Sequence, residues 1–299
     1  MAFPIIDIQN VSKSYRKGDP PALRNVSLTI GEGDRVGLVG ANGSGKTTLL
    51  RLILNFLRPD SGSIQILGER DAEQSRQHLG FLPERQSGME NFTPRELLKF
   101  SAQMHGMPKA LAATRIEELL AFANIANVGN ELLAEFSKGM CQRVQVCLAL
   151  LHQPKILLLD EPMSGLDPSG QNDLREILGR LENITFVYAS HDLAEIERFC
   201  TSVVILHRGE LKEQLSLKAI QQENYQITLN ASAEPQLTEF SEFSFEIREK
   251  TPDTIVVELV ADSPVFQAFS NRLNEKGVTI NRIRSRGILE SLYQRYVKQ

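Results

Sequence analysis

The apolar positions change period along the chain, and each change marks a different kind of element. At the start they alternate: Ile5-Ile6-Asp7-Ile8 and Val26-Ser27-Leu28-Thr29-Ile30 read as strands, parted by a Gly18-Asp19-Pro20-Pro21 turn. Arg35-Val36-Gly37-Leu38-Val39 is a nearly unbroken apolar run, the pattern of a parallel strand buried on both faces. A glycine-rich turn follows. Leu49, Leu50, Leu52, Ile53 and Leu57 then recur at helical spacing, which predicts a helix over Thr47–Leu57 ended by Pro59 and Gly62.

From about Asn91 to Leu151 the pattern is mainly helical. Thr93-Pro94-Arg95-Glu96 is a helix start with Thr93 as cap, Pro94 in the first turn and Glu96 at capping-box spacing. Buried-strand runs return at Ile156–Leu159, Thr185–Ala189 and Ser202–Leu206. Strands and helices alternating around a helical insertion predict an α/β domain built on a parallel sheet. Beyond residue 216 the composition shifts: strands are expected at Tyr225–Leu229, Phe245–Ile247, Thr254–Val260 and Val278–Arg284, and helices at Ser263–Lys276 and Ile288–Val297. The expected organisation is a large α/β domain over 1–215, its helical part at about 90–151, then a short linker and a small α+β domain over 216–299.

Composition narrows the class. The 299 residues are 41% hydrophobic and 23% charged with a formal net charge of -4, enough apolar mass for a large core and no basic footprint for nucleic acid. Cys141, Cys147 and Cys200 lack metal-ligand spacing, so reduced thiols are expected. The N-terminus has no basic, apolar leader pattern. The longest apolar stretch, Val144–Leu159, is broken by Gln145, His152, Gln153, Pro154 and Lys155, short of the roughly 20 residues a membrane helix needs. A membrane path, if one exists, belongs to another chain.

Gly40-Ala41-Asn42-Gly43-Ser44-Gly45-Lys46-Thr47 satisfies the phosphate-loop pattern between a strand and a helix. Its backbone N–H groups, with the helix N-terminus behind them, suit phosphate oxygens; Thr48 extends the set. Lys46 is placed for the β- and γ-phosphates and the Thr47 hydroxyl for Mg²⁺. Ile156-Leu157-Leu158-Leu159 ends in Asp160-Glu161, and in an open parallel sheet the ligand lies beyond such strand ends. Asp160 is then placed to hold Mg²⁺ and Glu161 to polarise the attacking water.

Further motifs carry a resemblance. Phe136-Ser137-Lys138-Gly139-Met140-Cys141-Gln142-Arg143 resembles the signature motif of ABC ATPases, Ser164-Gly165-Leu166-Asp167 their D-loop, and Ser190-His191-Asp192 their switch histidine. Tyr15 matches the aromatic that stacks on adenine. The resemblance spans about residues 5–210 and implies a P-loop NTPase fold of the ABC kind. It implies ATP and Mg²⁺ as cofactors and a homodimer that sandwiches the nucleotides. In that arrangement Ser137 and Gly139 reach the γ-phosphate held by the other chain, Asp167 links the two sites, and His191 holds the attacking water. It also implies a separate transmembrane permease, with this chain on the cytoplasmic face of the inner (plasma) membrane; the mildly acidic charge balance leads us to expect no nucleic-acid partner.

Two departures from the family pattern stand out. Phe136, Lys138 and Met140 replace the commoner Leu, Gly and Gln of the signature. After Leu79-Gly80-Phe81-Leu82 comes Pro83-Glu84, where many members carry a glutamine; Glu84 can also accept Mg²⁺ or water. Leu-Pro-Glu here, and Leu289-Glu290-Ser291-Leu292-Tyr293 near the end, resemble the ABC-2-type exporter branch. The alternative reading is a soluble ABC ATPase of translation or DNA repair. One cassette without coiled-coil heptads or a basic stripe disfavours it.

Overall fold

The computed structural model describes residues 4–297 except 17, 70–71, 85–87, 218–222 and 262. In chain order its first compact unit contains β1 (Ile6–Lys13), β2 (Leu23–Ile30), β3 (Arg35–Val39), α1 (Lys46–Ile53), β4 (Ser61–Ile66), α2 (Ala72–Arg76), β5 (Leu79–Leu82), α3 (Pro94–Met104), α4 (Lys109–Phe122) and α5 (Lys138–Leu150). It continues with β6 (Ile156–Asp160), α6 (Pro168–Gly179), β7 (Thr185–Ser190), α7 (Leu193–Phe199), β8 (Ser202–His207) and β9 (Glu210–Ser216). The second unit holds β10 (Glu223–Asn230), α8 (Glu234–Leu237), β11 (Phe245–Lys250), β12 (Thr254–Ala261), α9 (Ser263–Glu275), β13 (Ile280–Gly287) and α10 (Ile288–Val297). The two compact units are Met1–Leu215 and Ser216–Gln299. The linker expected just after residue 216 falls largely outside the described residues.

The main sheet of the first unit has the order β5-β6-β7-β3-β8-β9. The pairs β5–β6, β6–β7, β7–β3 and β3–β8 are parallel. β6 and β7 are buried at every position, as strands covered on both faces must be. Arg208 and Gly209, both at positive φ, form the two-residue turn between β8 and β9. The alternating β1 and β2 do not join this sheet; with β4 they form a separate antiparallel sheet in the order β2-β1-β4. Neither β4 nor β9 has an apolar pattern strong enough to announce a strand.

α3 starts as its sequence predicts: Thr93 Oγ1 accepts from the Glu96 amide at 3.2 Å and Glu96 Oε2 accepts from the Thr93 amide at 2.9 Å. α1 differs from expectation and ends at Ile53 instead of Leu57. Asn55 adopts φ 55°. Its amide donates to Leu52 O (3.0 Å) and that of Phe56 to Arg51 O (2.8 Å), a Schellman ending in which asparagine takes the usual glycine position. Among the described residues no helix is long and apolar enough to cross a membrane.

The second unit is α+β: an antiparallel sheet, β11-β12-β10-β13, with helices. Tyr225, Ile227, Leu229, Ile255, Val257 and Leu259 form its apolar face. Phe269 packs edge to face with Phe240 and Phe243 in the same core, which Leu273 and Val278 complete. Leu289 of α10 is buried too.

Candidate nucleotide site

The register of the parallel sheet brings three loops together. Val39 lies opposite Ser190 and Ala189 opposite Asp160, so the carboxyl ends of β3, β7 and β6 are level. The loop after β3, the Glu161 turn after β6 and His191 after β7 therefore share one edge. Leu82 is level with Leu159, which adds Glu84 to the same edge.

Helix α1 begins without a side-chain cap, because its N-cap is Gly45 at φ 111°. A Cβ there would stand 2.7 Å from Ala22 O, so both conformation and space require glycine. The first intrahelical bond is Leu49 N to Gly45 O at 2.9 Å, which leaves the amides of Lys46, Thr47 and Thr48 without helix partners. They border a cavity of about 350 Å³ lined by Asn42–Thr48, Tyr15, Glu84 and Glu161, among others. Inside it Ser44 Oγ and Glu161 Oε1 are buried without a hydrogen-bond partner in the protein. Uncapped amides, the positive end of a helix, the Lys46 ammonium and the orphan Ser44 hydroxyl together define an anion site.

Lys46 is buried, and its ammonium donates to Gly40 O at 2.7 Å and lies 3.4 Å from Glu161 Oε1. That second contact is an ion pair without hydrogen-bond alignment, so a phosphate oxygen can displace it. Glu161 holds φ 47° directly after β6, and its amide donates to Ala189 O at 2.9 Å. This left-handed turn sends its carboxylate toward Lys46 on one side and His191 Nδ1, 2.8 Å from Oε2, on the other. Asp160, 4% exposed, accepts from the Thr47 hydroxyl at 3.3 Å. Burial pushes its carboxyl above the usual range, and the charges of Glu161 and Glu84 add to the effect. Thr47, Asp160 and Glu84 are hard oxygen donors beside crowded negative charge, a set that fits Mg²⁺.

Tyr15 lies just past β1 and not within a strand. It is 54% exposed at the cavity mouth, with its hydroxyl 3.1 Å from Thr48 Oγ1, so it is not a packing residue. Ser137, Gly139 and Asp167 do not line the cavity. Ser137 caps α5 by accepting from the Met140 amide (3.2 Å), and Asp167 caps α6 by accepting from the Gly170 amide (3.1 Å). Gly139 faces α6, where a Cβ would stand 3.3 Å from Gly170 Cα.

A buried cluster that no motif announces stands behind the site. Glu195 accepts from the Tyr188 hydroxyl (2.8 Å) and the Ser190 hydroxyl (3.2 Å), while Ser190 Oγ accepts from the Asp192 amide at 3.0 Å. The cluster braces the turn that carries His191. Its only sequence signal is a carboxylate at an otherwise apolar position of α7.

A phosphate loop on a parallel sheet, with Asp-Glu and histidine at neighbouring strand ends, defines a P-loop ATPase. The sequence model described as ABC transporter matches residues 23–164. The ABC transporter ATP-binding protein YxlF of Bacillus subtilis (strain 168) is 32% identical over 98% of this chain and 99% of its own length. YdbJ of the same organism is 33% identical over 88% and 86%. The bacitracin transport ATP-binding protein BcrA of Bacillus licheniformis is 34% identical over 74% and 72%. A solved ATP-binding subunit of an ABC transporter superposes with TM-score 0.65 at 31% identity, covering 73% of this chain and 92% of that one. The chain belongs to the ABC transporter ATP-binding proteins: it is an ATP-binding subunit and an ATPase.

Proposed function

We propose that this ATPase works as a homodimer with ATP in its interface and drives a separate transmembrane partner of the ABC-2 exporter type. The observation that carries the reading is the Glu161 carboxylate, held between Lys46 and His191 at the edge of the anion cavity. Lys46 and the amides of the loop bind the β- and γ-phosphates. Glu161 accepts the proton of the attacking water, and His191 orients that water against the γ-phosphate. Thr47, Asp160 and Glu84 would hold Mg²⁺, which supplies charge neutralisation between the phosphates. Tyr15 stacks on the adenine.

Ser137 and Gly139 stand outside their own chain's cavity, which supports their closing over the nucleotide of a second copy. Asp167 then meets the partner chain beside the same interface. For the membrane partner the docking surface is the face carrying Glu84 and α3; Phe100 of α3 is 62% exposed, and Glu90, Leu97 and Leu133 line a depression at the same helix. Such a partner would hold this chain at the cytoplasmic face of the inner membrane. Leu82-Pro83-Glu84 and the C-terminal unit, which we read as an accessory domain, support export. A mild-detergent pull-down of the tagged chain from native membranes tests the reading. A stoichiometric polytopic protein supports it; recovery with ribosomes or DNA instead contradicts it.

A further inference from the structure

Lys138 departs from the commonest signature, and the ATPase chemistry leaves it without a task. Its ammonium donates to Ser164 O at 2.6 Å. Among the described residues no carboxylate lies within ion-pair distance of it. It sits over Gly165, at φ 66°, where a Cβ would come within 2.3 Å of Nζ. One helical turn on, buried Gln142 donates through Nε2 to Pro162 O at 3.1 Å. Residues four apart share a helix face, so Lys138 and Gln142 grip two carbonyls of one loop from the same side of α5. That loop starts at Glu161 and ends at Asp167, the cap of α6. Between the two grips, Gly139 and Gly170 bring the backbones of α5 and α6 into contact.

We infer that Lys138 is a positioning residue: it fastens the first turn of α5 to the loop carrying Glu161, so that the two move as one body. The inference deepens the proposed dimer and rests on it for its consequence. The turn that closes over the partner's nucleotide is thereby coupled to the hydrolytic carboxylate of its own chain. Removing the ammonium leaves ATP binding at the phosphate loop alone. It loosens Glu161 and uncouples the two sites.

The test compares the full-length chain with K138M and K138R by steady-state hydrolysis and by amide hydrogen exchange over residues 162–170. Lys138 is exposed, so neither substitution disturbs the core. For K138M the expected result is a fivefold or larger loss of kcat, KM for ATP within twofold, a lower Hill coefficient and faster exchange in the loop. K138R, which can still donate to Ser164 O, restores turnover and protection. Unchanged kcat and exchange in K138M overturn the inference. So does a large, salt-sensitive rise in KM with unchanged exchange, because the ammonium would then be meeting the nucleotide. ATP-dependent dimerisation of E161Q with Lys138 intact is measured alongside. If that dimer is absent the paired-site reading fails, while loop exchange in K138M still decides the role of Lys138.

Discussion

Replacing Glu161 by glutamine isolates the role of one carboxylate, because shape and hydrogen-bonding reach are kept while basicity and charge are lost. Two effects follow from its position. Glutamine cannot take a proton from water, and a positioned general base contributes about 10²–10⁴-fold, or roughly 3–5 kcal/mol of barrier. The substitution also frees Lys46, 3.4 Å from Oε1. At an effective dielectric near 20 the gross attraction at that separation is about 5 kcal/mol, much of it cancelled by desolvation. ATP no longer has to displace a carboxylate, so its dissociation constant falls while kcat collapses. Radiolabelled single-turnover hydrolysis and equilibrium binding measure the two separately. E161Q turning over at more than a tenth of the wild-type rate, or binding ATP more weakly, would refute the assignment of Glu161 as base and its competition for Lys46.

Other outcomes follow from individual residues. Y15A should raise KM for ATP by about tenfold with little change in kcat, since stacking on a base is worth about 1–3 kcal/mol, while Y15F should behave almost as wild type; equal loss in both would assign the effect to the hydroxyl. N55V should lower stability by about 1–2 kcal/mol in urea unfolding because a β-branched residue resists the left-handed position, whereas N55G should not. Burial pushes the Cys147 and Cys200 thiols up to about 12, so iodoacetamide under mildly alkaline, native conditions should label half-buried Cys141 first, as read by mass spectrometry. Burial, foremost, raises the Glu195 carboxyl above the usual range. The folded chain therefore holds a proton that the unfolded chain has released, and this contribution to stability is lost as pH rises from the ordinary glutamate range through the folded value. E195Q should flatten that part of the curve in urea midpoints taken across the mildly acidic range.

Much of the fold was legible because its signals are local. Unbroken apolar runs mark β3, β6 and β7, and the phosphate loop needs only its own glycines and the helix behind it. The limits of α1 were not, because Asn55 closes the helix with backbone geometry that glycine usually announces. The separate β2-β1-β4 sheet was also hidden: alternation identifies strands but not which strands pair, and Ser61–Ile66 is too polar to stand out. At the site, proximity of Thr47 to Asp160 follows from motif order, but the grip of Lys138 on Ser164 O joins elements 26 residues apart, and the Glu195 cluster, though local, needs the turn from β7 into α7 to bring its side chains together. Nothing in a lysine's neighbours says which carbonyl it will reach.

If each working site is shared between two copies, two inactive variants should complement each other when mixed. K46A lacks the phosphate-loop cation and S137R blocks the signature turn; each alone should hydrolyse ATP at a background rate. In an equimolar mixture half of the dimers are mixed, and each mixed dimer has one of its two sites intact. Recovery should reach up to about a quarter of wild-type activity, the value for sites that turn over independently, and less to the extent that the sites are coupled. If the mixture stays at background while each variant remains folded, phosphate loop and signature do not meet across an interface, and the shared-site account is wrong.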